Sequence, residues 1–164
     1  MGNAYITRMP AGIAGDVSRK EVAKIEPRMM DPDHEVTLYG VPVKISSAGV
    51  APLTTGDTVA TAVYGFSVRP YPLQASVSEA LDAGTPNTNQ PLDVLRSGYI
   101  TVKNNKGTPA LSGAVYCRIA DGSTAYPLGG IEADADGGDC EAITGARFMG
   151  SADADGNVEI AYNI

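Results

Sequence analysis

Hydrophobic and polar residues alternate along much of this chain. In GNVEIAYNI, Val158, Ile160, Tyr162 and Ile164 fall on one side and Asn157, Glu159, Ala161 and Asn163 on the other, the period-two pattern of a half-buried strand. AVYCRIA repeats it with Val115, Cys117 and Ile119, and GVPVKIS with Val41, Val43 and Ile45, where Pro42 marks an edge or a strand start. SGYITVK (97–103) predicts a further strand, ended by the turn-rich NNKG. VATAVYGFSV (59–68) is apolar on both sides and predicts an internal strand with a bulge at Gly65. Helix-friendly windows are few. Ser18 to Glu26 is stopped by Pro27, and its Val22, Ala23 and Ile25 fit a strand equally; Ser76 to Asp82 is a second short candidate.

Nineteen Gly and eleven Pro punctuate the whole length, and Asp121-Gly122, Asp136-Gly137 and Asp155-Gly156 are dipeptides that close hairpins. Seven or eight short strands with polar turns predict an all-β fold: a β-sandwich, a jelly roll or a squat barrel, with little helix. LDAGTPNTNQPLD (81–93) predicts a long polar loop. Residues 1–16 read as an extended N-terminal arm with Gly12 and Gly15 as flexible points and Tyr5, Ile6 and Ile13 as sparse anchors. Such an arm pairs at a sheet edge of its own domain or crosses to a neighbouring subunit. The expected division is an arm over 1–16 and one β domain over 17–164.

At 164 residues and 16.9 kDa the chain can own one core. No apolar run reaches membrane-spanning length, and the start has no signal-peptide pattern, so a protein made in the cytoplasm is expected. Charge is uneven. Residues 1–120 hold 11 Lys/Arg against 10 Asp/Glu, whereas 121–164 hold Arg147 alone against nine acids, from Asp121 to Glu159. A net charge of −7 argues against a nucleic-acid partner. The C-terminal acids read as solvated turns or an acidic outer surface. Arg96, Lys103, Lys106 and Arg118 give residues 94–120 a charge of +4 with no acid, which suits an acidic partner, a second copy, or the protein's own C-terminal third.

Candidate chemistry is sparse. The single His34 sits in DPDHE, where neighbours on an extended chain point apart, so it reads as a solvent-facing loop residue and not a ligand. DADGGDCE (134–141) and DADGNVE (153–159) depart from the twelve-residue calcium loop: from Asp153, Gly156 comes two positions early and Glu159 stands at position seven. Cys117 falls on an apolar face and Cys140 among acids, a poor setting for a reactive thiolate; a disulfide between them is geometrically open but disfavoured in a reducing cytoplasm. No nucleophile elbow, phosphate loop or Cys-x-x-Cys is present, and no cofactor or metal is expected. RPYP (69–72) is a stiff extended segment suited to an interface. Turn acids flanked by Gly are poorly held for a two-carboxylate glycosidase, and a chain without Trp lacks the usual platform for sugar stacking.

Four stretches carry a resemblance as a set: AYITRMPAGIAGDVSR (4–19), VYGFSVRPYPLQ (63–74), PLDVLRSGYITVK (91–103) and FMGSADADGNVEIAYNI (148–164). Together they resemble the structural cement, or capsid decoration, proteins of tailed bacteriophages, loosely at 28–37 and 132–147. The resemblance implies a jelly-roll-like β fold and a dimer or trimer on the outside of the expanded major-capsid lattice. It also implies a partner in the major capsid protein and no catalytic site. The alternative is another virion jelly-roll module of the tail, or one that binds a receptor or carbohydrate. The arm and RPYP supply the expected capsid or subunit contacts: Tyr5, Ile6, Arg8, Ile13, Arg69 and Tyr71.

Overall fold

The computed structural model describes residues 12–70, 84–87 and 90–164. Among them nine strands pair antiparallel throughout, and the all-β class read from the sequence is the one observed. The strands are β1 (Lys24–Met29), β2 (Pro42–Ile45), β3 (Val50–Pro52), β4 (Gly65–Ser67), β5 (Pro91–Lys103), β6 (Ala114–Arg118), β7 (Ile131–Glu132), β8 (Cys140–Phe148) and β9 (Asn157–Tyr162). Among the described residues, helix is confined to the four-residue α1 (Val59–Ala62) and two 3-10 turns, Lys20–Val22 and Asp136–Gly138.

β5 organises the sheet. Its first half lies between β1 and β4, with Ile25 and Phe66 both opposite Leu95. Its second half pairs with β9, from Gly98 opposite Tyr162 to Lys103 opposite Asn157. The sheet runs on from β4 through β2 to β3, and from β9 through β8 and β6 to β7. Each half then curls back on itself. Met30, just past β1, bridges Val50 of β3, and Asn104, just past β5, bridges Ile131 of β7.

Side chains on a strand alternate between faces, and the extra residue Arg96, between Leu95 opposite Ile25 and Ser97 opposite Lys24, switches that alternation, so β5 feeds two cores. Leu95, Ile100 and Val102 join Phe66, Phe148 and Ile160 in the larger one, where Phe66 meets Tyr162 edge-on at 5.1 Å. Leu92 and Val94 join Met30, Val36, Val43 and Val50 in the smaller one. Burying each such side chain stabilises the fold by roughly 1.5–3 kcal/mol.

Several expectations need correction. Residues 59–68 are not one strand: Val59–Ala62 turns as α1, and only Gly65–Ser67 is extended. The turn is held from outside, since Glu141 Oε2 accepts the Val59 N–H at 2.8 Å. Gly65 opens β4 and is no bulge; a Cβ there would stand 2.4 Å from the Leu95 carbonyl oxygen, so backbone approach demands glycine. The register shifts lie instead at Lys24/Ile25 and Ala114/Tyr116. Ser18 to Glu26 divides into a 3-10 turn and the start of β1, and Pro27 lies inside that strand. Pro42 does begin its strand, but β2 has partners on both sides and is not an edge. Ile45 and Ile164 are exposed because each lies at or beyond a strand end. Pro91–Asp93, assigned to the polar loop, open β5. Asp155-Gly156 lies in the β8–β9 hairpin connection, whereas Asp136-Gly137 joins β7 to β8, which both pair with β6 rather than with each other. Ser76 to Asp82 lies outside the described residues.

Candidate interaction surface

Tyr5, Ile6, Arg8 and Tyr71 lie outside the described residues, while Ile13 and Arg69 are each hydrogen-bonded to the Gly15–Asp16 pair. The Gly15 N–H donates to the Thr101 carbonyl (2.8 Å), the Arg69 N–H to the Gly15 carbonyl (2.9 Å) and the Thr101 N–H to the Asp16 carbonyl (2.9 Å). Val17 bridges Ile100 beside them. Asp16 turns the chain back, its carboxylate accepting the Ile13 N–H at 3.1 Å. Two glycines make the fit. Gly15, at φ +93°, has the Tyr39 Cβ 2.6 Å and the Arg69 Cβ 2.9 Å from where its own Cβ would be, and a Cβ on Gly40 would stand 2.7 Å from the Gly15 nitrogen. The Arg69 guanidinium lies 5.6 Å from the centre of the Tyr39 ring. Arg19 pins the chain again, pairing with Glu159 at 2.9 Å and lying 3.8 Å over Tyr99.

A cleft of about 620 Å³ opens beside these residues, with Gly12, Ile13 and Ala14 among its lining. Leu38, Val41, Pro127 and Ile131 give it an apolar lining, and Lys103, Asp153 and Asp155 line it as well.

The basic run 94–120 meets the protein's own C-terminal third, one of the three partners its charge allowed. Arg118 is buried, as is Glu132, and its Nε donates to Glu132 Oε1 at 2.6 Å. Asp136 accepts from both Arg118 and Lys106, and Asp139 stands 3.6 Å from Arg118. Lys106 first and Arg118 second hold the Asp136 carboxyl below its usual range. Glu132, Asp136, Asp139, Glu141 and Glu159 are therefore fold-building acids and not merely solvated turns. The signal for this lay in the opposed charges of the two regions; the pairing itself lay in how the chain crosses the sheet.

The remaining candidates are structural. His34 is exposed at 63%, with Nδ1 3.4 Å from Asp31 Oδ2. Buried Asp31 accepts the Ser46 hydroxyl (2.6 Å) and the Asp33 N–H (2.9 Å), which lower its pKa. Asp153 Oδ1 accepts the Asp155 and Asn157 N–H groups, closing a turn. Among the described residues no three His, Cys, Asp or Glu side chains gather as metal ligands. Cys117 and Cys140 are both buried and free. Burial pushes each thiol up to about 12, with Glu132 contributing at Cys140.

The family model of the XM1 gp53 minor capsid protein matches residues 2–162. The chain belongs to that family. A solved chain from the capsid of Myoviridae phage XM1 shares the fold, with a TM-score of 0.69 at 16% identity, covering 99% of this chain and 97% of that one. No curated protein matches. The resemblance read from the four stretches thus holds at the level of a phage capsid-associated family.

Proposed function

We propose that this chain is a decoration protein of a phage head. It is a non-enzymatic subunit, made in the host cytoplasm, that binds the exterior of the major capsid lattice and stabilises the expanded shell. Membership over residues 2–162 in a minor capsid family is the observation that supports this most. A small, stiff β domain suits the role, because many copies on a closed lattice stabilise it without any one contact being tight. The arm (1–16) and the segment around Arg69 and Tyr71 are the proposed contacts to capsid or to a second copy, with Tyr5, Ile6, Arg8 and Ile13 as anchors. In this reading the subunit forms a dimer or trimer and takes neither nucleic acid, membrane nor cofactor as partner.

The test is co-sedimentation of the purified chain with expanded capsids that lack it, followed by heat disruption of those capsids. Saturable, stoichiometric binding and a raised disruption temperature are expected. No binding at micromolar protein to intact capsids would overturn the proposal and move the search to a tail or glycan-binding role. Asp134→Ala and Asp153→Ala are expected to leave lattice binding unchanged with no activity lost, the pair of results that would exclude a carboxylate-based enzyme.

A further inference from the structure

We infer that copies of this chain meet head to tail, the outward face of β1 in one copy taking the loop between β6 and β7 of the next. β1 pairs with β5 along its six residues and yet buries none of its own side chains. Alternation puts Ile25, Pro27 and Met29 on one face. Ile25 and Met29 are 41% and 53% exposed, and Val22, in the turn before them, 52%. Glu26 and Arg28, on the other face, are tied to each other and to Tyr64. The β6–β7 loop carries the second patch, with Tyr126 and Leu128 exposed. Its shape is fixed in advance. The Ser123 N–H donates to the Tyr126 carbonyl (2.8 Å) and the Gly129 N–H to the Arg118 carbonyl (2.9 Å), and a Cβ on Gly122 would stand 2.6 Å from Leu128. A surface already shaped loses little entropy on docking.

Charge selects the occupant. Residues 19–28 hold four Lys or Arg against two Glu, whereas 121–139 hold five acids and no Lys or Arg. Arg19 and Arg28 are taken up within the chain by Glu159 and Glu26, and Asp136 and Asp139 by Lys106 and Arg118. Among the described residues, the exposed Lys20, Lys24 and Asp121 make no ion pair. Two β1 faces set together would oppose like charges, as would two loops; β1 against loop surrounds the apolar contact with opposite ones. Because β1 and the loop belong to different halves of the sheet, the contact is heterologous and closes as a ring. Each copy then makes it twice, which offsets the small size of one patch beside the roughly 800 Å² per partner of a stable interface. This deepens the decoration reading by naming how copies meet, and rests on it only for where the ring sits. The test uses the free protein, so its failure and a failure of lattice binding are separate results.

Sedimentation velocity of the purified full chain at rising micromolar concentration reads the association. The wild type is expected to pass beyond a dimer to one closed species. Val22→Asp and Leu128→Asp each place a charge in the apolar contact and are expected to weaken association about tenfold or more. Circular dichroism should stay unchanged, because both side chains are exposed. Lys20→Met with Lys24→Met should weaken association a few-fold, as should Asp121→Asn, a residue that suits the left-handed backbone at that position. Combined, they should cost less than the product of the two losses, since both remove the same attraction. A wild type that stays monomeric or stops at a dimer would overturn the inference. So would association unchanged in both Asp variants, or charge losses that multiply in full.

Discussion

Arg118 shows how much a single side chain holds here. Its charge and that of Glu132 are both out of water, and removing one partner strands the other. Arg118→Ala is expected to cost about 3–5 kcal/mol in urea denaturation. Arg118→Met combined with Glu132→Leu should recover most of that loss, because it removes both buried charges. The sequence displayed Arg118 on the polar side of its strand, opposite Val115 and Cys117. It did not display that residues 132–139 fold over that side and bring three carboxylates. The acids Asp31 and Asp136 carry a pH signature. Their carboxyls fall below the ordinary 3.8, through the Ser46 hydroxyl at Asp31 and through Lys106 and Arg118 at Asp136. They bind protons less readily folded than unfolded, so their stabilisation is complete above that value and is lost as pH falls through the lowered ones. The melting temperature should hold from pH 7 to about 5 and decline below about 4, less steeply in Asp31→Asn. Cys117 and Cys140, pushed up to about 12, should resist Ellman's reagent until urea unfolds the chain. Fast native labelling of either would contradict their burial.

Among the elements, those with clean alternation were legible. β6, β9 and the second half of β5 lie where Val115, Ile100 and Val158 alternate with polar neighbours. The stretch 59–68 was not, because an all-apolar run does not reveal whether it extends or turns, and its turn is held by Glu141, 82 positions away. The N-terminus of β5 was hidden in the same way, by Pro and Asn residues that suggested a loop. The segment around Gly15 was half legible: Gly15 was visible as a flexible point, whereas the structure uses it as a rigid one, pressed between Tyr39, Gly40 and Arg69. Gly15→Ala is therefore expected to cost at least about 1–2 kcal/mol from the left-handed backbone alone. Its first effect should be local, with faster hydrogen exchange at the Gly15 and Thr101 amides than at Ile160.

At the scale of the molecule, the two halves of the sheet share β5 and the larger core, to which Phe66 and Leu95 contribute from one half and Phe148 and Ile160 from the other. Unfolding followed by far-ultraviolet circular dichroism and by tyrosine fluorescence should therefore give coincident curves. Ile100→Ala should shift both by about 2–5 kcal/mol without separating them. Two transitions would mean that the halves stand independently. β5 also has a mechanical meaning. A pull that grips the molecule through β3 at one side and β7 at the other cannot part the halves by peeling an interface, because the same thirteen-residue strand runs through both. The covalent backbone of β5 carries that load from one half to the other, and the strand pairs on either side of it, from β3–β2 to β6–β7, are what is left to give way.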